Sequence, residues 1–225
     1  MIDLSQLYNK EPGTVNVVYD YVREKILNWE YKPGYQMSEQ KLSDELGVSR
    51  TPVREAFIKL VAEGLMETRP YRGTFVTKID LRSVEEVRFI RNCLEKEVAK
   101  LACELDVQDY LEYAEENIRC QREALHKKDF REFVKLDDQM HEQLFIVCGK
   151  QLSWQTIVMI SSNYQRLRHV LLDKPILPDE HKVIIDAIAA HDIESAVKAV
   201  DNHLSLITSE FADVKRAHPD YFLPE

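Results

Sequence analysis

The sequence has no run of about 18 apolar residues, so no membrane-spanning helix is expected. Its opening stretch, MIDLSQLYNKEPGT, lacks the basic start and apolar core of a secretory signal, which makes the cytoplasm the default expectation. No Cys-x-x-Cys pair occurs. Cys93, Cys103, Cys120 and Cys148 stand 10, 17 and 28 residues apart, which argues against a zinc knuckle or a disulfide framework and for reduced, mostly buried thiols. The G-x-S-x-G, P-loop and G-x-G-x-x-G motifs are missing. HEQLF, from His141, begins like the H-E-x-x-H helix of metalloproteases, but Phe145 stands where the second histidine belongs. Strand signals are missing from Leu81 onward, and no repeat or low-complexity segment occurs.

What is present is unevenly distributed. The net charge of −9 argues against nucleic acid on its face, yet residues 1–79 carry 11 Lys+Arg and 11 Asp+Glu, and the deficit lies wholly in residues 80–225. Residues 47–78 hold six basic side chains (Arg50, Arg54, Lys59, Arg69, Arg72, Lys78) against three acidic ones (Glu55, Glu63, Glu67). DNA binding needs a local basic face rather than a basic total. With 44% hydrophobic and 31% charged residues over 225 positions, the chain is long enough for two globular domains, here placed at 1–79 and 80–225.

The first part is patterned as a winged helix-turn-helix. Val15, Val18, Val22, Ile26 and Trp29 line one side of an expected helix 15–29, which the Lys32-Pro33-Gly34 turn ends. Ser38 can cap a helix 39–46, Gly47 can take positive φ in a tight turn, and Ser49 can cap a third helix, 50–63, with Pro52 tolerated in its first turn. Two helices around a short glycine-containing turn make a helix-turn-helix. The stretch LMETRPYRGTFVTK then reads as two short strands around an Arg72-Gly73 tip. Arg50, Thr51 and Arg54 at the start of the third helix suit guanine edges and phosphates, with Ser49 and the helix N–H groups supporting. The bland alternative is a small helical subdomain with a solvated basic face.

The second part has helical periodicity throughout, with helices expected at 81–105, 107–128, 129–148, 152–172, 179–191 and 192–215. Polar residues interrupt their apolar stripes. Arg91 is the only charge on the seam Val84, Val87, Leu94, Val98, Leu101, Leu105; Asp137 and His141 lie with Phe130, Val134, Leu144 and Cys148; His181 leads Ile184, Ile185 and Ile188; His203 lies with Ala196, Val200, Ile207 and Phe211. Unpaired burial of such groups costs several kcal/mol each. A shared divalent cation removes that cost, and Asp with three His suits zinc first, with nickel, manganese or iron also compatible. The competing reading is that Asp137 and His141, four apart on one face, satisfy each other. His126, His191, His218 and His169 read as structural or surface residues.

GVSRTPVREAFIKLVAEGLMETRPYRGTFV resembles the winged helix of the GntR family of bacterial transcription regulators, close to the GVSRTPVREAL core of its FadR-type branch, over roughly residues 14–78. The resemblance implies DNA contacts at Arg50, Thr51 and Arg54, with Ser49 supporting and Gly73 at the wing; Gln40 stands where relatives often have arginine. LDDQMHEQLF and EHKVIIDAIAAHDIESAVKAVDNHL resemble the FCD effector domain of that branch over about 81–212, in the shorter, six-helix VanR-like form. That resemblance implies one divalent metal per chain on Asp137, His141, His181 and His203, and an effector met by Arg91. The ligand of the acyl-CoA-binding relative is not implied, because that relative lacks this metal set. The function expected is a homodimeric repressor of a palindromic operator. A small carboxylate at the metal, with Arg91, Tyr164 and Arg168 lining the pocket, would release it. A metalloenzyme of small carboxylates and a regulator with a metal-free dimerisation bundle are the alternatives.

Overall fold

A computed structural model describes residues 13–171, 177–205 and 211–224. They fall into two compact units, one made of 82–217 and the other of the residues before it together with 218–224. The expected boundary at 79 and 80 had assigned those last residues to the second unit.

In the first unit α1 (Thr14–Leu27) buries Val17, Val18, Val22, Ile26 and Leu27. It ends two residues before the expected Trp29, which lies outside the helix at φ 60°, and Val15 is only half-buried. A β1 strand (Gln36–Met37) follows, then α2 (Glu39–Leu46), capped by the Ser38 hydroxyl accepting from Lys41 N–H at 3.3 Å and closed by Gly47 at φ 67°. The next helix, α3 (Arg50–Ala62), has Ser49 at its N-cap in an extended conformation, but the side chain makes no capping hydrogen bond, contrary to expectation. The hydroxyl is left exposed. Strands β2 (Met66–Arg69) and β3 (Gly73–Val76) form the wing, and β1 adds to it in the antiparallel order β1-β3-β2. The sequence reading missed β1 because two residues cannot display a period-2 pattern. Val18, Val22, Ile26, Leu42, Val53, Phe57, Leu60 and Val76 share one core. A tail strand-like segment closes this unit, with Phe222 bridged to Ile79.

The second unit is all helix: α4 (Leu81–Glu104), α5 (Gln108–His126), α6 (Phe130–Val147), α7 (Gln151–Ile160), α8 (Ser162–Leu171), α9 (Leu177–Ala189), α10 (Ile193–Ser205) and α11 (Phe211–Ala217). One expected helix, 152–172, is two. The break is at Ser161, whose hydroxyl donates to Ile157 O at 2.5 Å while its N–H turns to Val158 O, so the side chain competes with the helical ladder. The expected helix 192–215 covers α10 and part of α11; Ile207 and the side chains of Phe211 and His169 lie outside the described residues. On α4 the buried stripe is Val84, Val87, Arg91, Glu95, Val98, Ala99, Ala102 and Cys103. Leu94 and Leu101 are half-buried and Leu105 is exposed, so the seam runs one residue off the expected track and carries a second charge, Glu95. All four cysteines are free thiols, but only Cys103 is buried and Cys93 is exposed. Among the described residues, no helix is long and apolar enough to cross a membrane.

Candidate metal centre and nucleic-acid interface

The basic residues at the start of α3 and at the wing tip are displayed, not packed. Ser49, Arg50, Thr51 and Arg54 are exposed on the first turns of α3, where the helix N–H groups also point outward. The Arg50 guanidinium, 64% exposed, lies 3.7 Å from Glu39, a contact too loose to withdraw it. Lys59 by contrast donates to Asn16 Oδ1 at 2.8 Å and braces α1 against α3. Gln40 donates to Asp44 at 2.8 Å on the exposed side of α2. At the wing tip Arg72 and Gly73 are both exposed. Gly73 has φ 102°, and a Cβ there would come within 3.0 Å of Gln36 Nε2. That amide donates to Arg72 O at 2.9 Å, so β1 fixes the tip from behind. Nothing in the sequence had pointed to Gln36.

In the second unit Asp137, His141, His181 and His203 are all buried, and one potential ligand atom from each lies within 4.8 Å of the others. Three helices deliver them: α6 gives Asp137 and His141, α9 gives His181 and α10 gives His203. Each imidazole is held from behind at Nδ1. His141 Nδ1 lies 2.9 Å from Glu95 Oε2, His181 Nδ1 lies 2.9 Å from Gln121 Oε1, and His203 Nδ1 lies 3.1 Å from Glu180 Oε2. Carboxylates can only accept, so His141 and His203 donate there. Gln121 is oriented by a relay. Asn117 Nδ2 donates to Leu136 O at 3.1 Å, which turns Asn117 Oδ1 to Gln121 Nε2 at 2.8 Å, and this leaves Gln121 Oε1 to accept from His181. In neutral imidazoles so held, all three Nε2 atoms carry lone pairs.

Four acceptors thus converge: three Nε2 atoms and Asp137 Oδ1. His181 Nε2 lies 3.2 Å from Asp137 Oδ1 without hydrogen-bond geometry, and Nε2 of His141 and of His181 have no hydrogen-bond partner although buried. A proton on His181 does not resolve the conflict at neutral pH, because burial, then the neighbouring His203, push that imidazole down to about 3 against the pull of Asp137. Burial would raise Asp137, but Arg168, and then the imidazoles, hold it well below the usual carboxylate range. A converging set of buried acceptors with fixed tautomers fits a divalent cation, and the same backing of each ring by a second acceptor is what metal-bound histidines require. Self-satisfaction of Asp137 and His141 is not what the side chains do: Asp137 turns to Arg168 and His181, and His141 to Glu95.

Arg91 is buried next to this cluster. Its Nε donates to Glu95 Oε1 at 2.7 Å, while Nη2 has no partner. The Tyr164 hydroxyl is also buried and unpartnered, and the Arg91 guanidinium carbon lies 5.1 Å from the Tyr164 ring centre and 5.9 Å from that of Trp154. Burial would raise Glu95, but Arg91 and then His141 hold it far below its ordinary value. Arg168, expected beside Arg91 as a pocket residue, spends its guanidinium on Asp137 and, at 2.5 Å, on Asp138. Glu95, Gln121 and Glu180 were missed by the sequence reading. Two left a signal: Glu95 stands four residues after Arg91 on its helix, and Gln121 interrupts the apolar stripe Tyr110, Ala114, Ile118 of α5. His126, His191 and His218 are exposed, as expected.

A winged helix-turn-helix with an open basic helix start, followed by an all-helical unit around a buried His/Asp cluster, defines a DNA-binding transcription regulator. Residues 14–76 match the bacterial regulatory proteins of the gntR family and residues 86–206 match the FCD domain; the chain belongs to the GntR family and carries an FCD effector domain. It is 32% identical over 212 residues to the HTH-type transcriptional repressor RspR of Escherichia coli, covering 92% of this chain and 93% of that one. It is also 32% identical over 221 residues to the HTH-type transcriptional regulator YdfH of another strain, covering 96% and 97%. Among solved structures the fold is shared with E. coli McbR/YncC (TM-score 0.72, 18% identity, 89% of this chain and 100% of that one). A GntR regulator from Rhodococcus gives TM-score 0.71 at 22% identity, covering 88% and 97%. The family and these relatives are transcription regulators, not enzymes.

Proposed function

We propose that this regulator is a homodimeric repressor whose hold on a palindromic operator is controlled by a small carboxylate bound next to a divalent metal in the second unit. The observation that carries this reading is the convergence of four buried acceptors, three of them histidine Nε2 atoms with their tautomers fixed from behind. Asp137, His141, His181 and His203 would hold the ion. A metal there supplies a Lewis-acidic position that a ligand carboxylate can enter. Zinc is the first candidate, and nickel, manganese and iron fit the same donors.

The chain's own residues complete the pocket. Arg91 Nη2 and the Tyr164 hydroxyl are buried donors without acceptors, a condition that costs about 1–3 kcal/mol per group unless a ligand supplies the acceptors. A carboxylate does so, and the charge-assisted bond to Arg91 gives it orientation. Arg168 acts one step back, holding Asp137 in place. On the DNA side Arg50, Thr51 and Arg54 would read the major groove, with Ser49 on phosphate and Arg72 and Gly73 at the wing. The name of the relative RspR supports repression. A ligand can release DNA only by binding differently to the two arrangements of the dimer.

Elemental analysis of the untagged protein, purified without added metal, tests this. About one metal per chain, lost in His141→Ala and in His203→Ala, is the expected result. A metal-free parent whose variants fold equally well would sink the metal reading and leave the DNA-binding one standing.

A further inference from the structure

The turn at the wing tip carries a residue that folding does not ask for. Arg72 N–H donates to Arg69 O at 3.0 Å, which closes a four-residue turn from Arg69 to Arg72. Pro70 suits the second place of such a turn, and Tyr71 fills the third at φ 60°. A third residue at positive φ is ordinarily glycine or asparagine, because a Cβ is crowded there. Among the described residues, Trp29, Lys128 and His191 also hold positive φ without being glycine. Trp29 packs edge to face on Tyr221 at 5.4 Å, and His191 Nδ1 lies 2.7 Å from Cys103 O. Lys128 follows the C-cap of α5, a common place for this conformation. Tyr71 has no such anchor: its side chain is 109% exposed.

The rest of the tip is braced. Arg69 is folded back, with its guanidinium carbon 4.6 Å from the centre of the Phe75 ring and its Nε donating to Glu67 Oε1 at 3.0 Å. Gln36 Nε2 holds Arg72 O from behind. A fixed turn therefore projects a cation and a bare aromatic ring next to each other, Arg72 and Tyr71. A bulky side chain kept at positive φ while burying nothing of its own chain directs attention to a contact outside it. We propose that the Tyr71 ring is a DNA contact of the wing, packed against the deoxyribose edges of the minor groove beside the backbone contact of Arg72. This rests on the DNA-binding reading of α3 and the wing. The minor groove is about 6 Å wide, so it admits a turn tip where it excludes a helix. Base faces in a duplex are covered by stacking, and the apolar surface open to a ring is the C–H face of the sugar. The ring contributes apolar contact and the guanidinium contributes charge. The two differ in salt dependence, because a phenol brings no charge to release counterions from the phosphates.

Tyr71→Ala, Tyr71→Gly and Tyr71→Phe in the full chain test the contact. The probe is a duplex that the parent protein itself selects from a random-sequence library, titrated by fluorescence anisotropy at several salt concentrations. Tyr71→Ala and Tyr71→Gly should each weaken binding about fivefold or more, the lower end for an aromatic ring lost from a nucleic-acid contact. Tyr71→Gly should melt no lower than the parent, since glycine accepts φ 60° without crowding. Neither change should alter the slope of log affinity against log salt. Tyr71→Phe, which keeps the ring, should bind within about twofold of the parent. Parent-like binding by the alanine and glycine variants overturns the contact. So does a slope lowered by about one, which would mean that Tyr71 only positions Arg72 on its phosphate. A phenylalanine variant as weak as the alanine one overturns the packing of the ring. A parent that selects no duplex brings down the DNA-binding reading itself, and the Tyr71 contact with it.

Discussion

At the scale of the residue, the informative atoms are those facing away from the cluster. Glu95 serves both Arg91 and His141, one with each oxygen. Glu95→Gln keeps the shape but removes the charge that offsets buried Arg91 and fixes the His141 tautomer. Metal affinity should fall about 10–100-fold, as for other residues that back a metal ligand, while His141 itself stays in place. Competition with a chromogenic chelator measures this; equal affinities in parent and variant would show that Glu95 only packs. Arg54→Ala should abolish specific operator binding and leave the melting temperature unchanged, since Arg54 is exposed and buries nothing. A mobility shift with the operator beside a thermal melt checks both halves.

At the scale of the element, α1 is moored to the end of α3 through Glu63, which accepts from Tyr19 at 2.6 Å and from Arg23 at 2.8 Å. Burial, then the hydrogen bond to Glu63, push the Tyr19 phenol up to about 12 from 10. Because the folded value is raised, the bond's contribution is fully present below pH 10 and is lost as pH rises from 10 through 12. Alkaline titration of parent and Tyr19→Phe, followed by circular dichroism, should show a larger loss of stability in that window in the parent than in the variant, which keeps the raised phenols of Tyr21 and Tyr31. The wing offers a second case. Gly73 holds φ 102°, which side chains rarely adopt, and a Cβ there would press on the Gln36 amide at 3.0 Å. Gly73→Ala should cost about 1–3 kcal/mol and weaken operator binding, and Gln36→Ala should not restore either, because the backbone conformation is the larger obstacle. Urea denaturation of the single and double variants separates the two causes.

At the scale of the whole molecule, a chain of net charge −9 is asked to bind a polyanion. Its acidic residues are concentrated after position 79, so affinity should be set by the few basic groups of α3 and the wing. Operator affinity should then fall steeply with salt, by a slope of about 0.9 per phosphate contact in a log–log plot, and Arg72→Ala should lower the slope by about one. An unchanged slope would remove Arg72 from the backbone contacts. Metal should stabilise by mass action: at a free concentration about 100-fold above its dissociation constant, it should raise the unfolding free energy by about 2.7 kcal/mol.

The sequence by itself determined what is local or periodic. The turn around Gly47, the cap at Ser38, the exposed Arg50 and Arg54 and the wing glycine are consecutive features of one short stretch, each fixed by its own backbone chemistry. The four candidate ligands were legible because a polar side chain on an apolar helical stripe is conspicuous at a period of 3.6 residues. Tertiary structure decided the rest, because it joins residues far apart in the chain. No periodicity says that Gln121 meets His181 across 60 residues, or that the relay through Asn117 turns the imidazole so that Nε2 faces the cluster. None says that Arg168 is spent on Asp137 rather than left for a ligand, or that Ser161 splits a helix whose apolar pattern runs through it. The return of Phe222 to Ile79 belongs to the same class: a bridge of two backbone hydrogen bonds carries no side-chain signature, and only the folded chain brings its ends together.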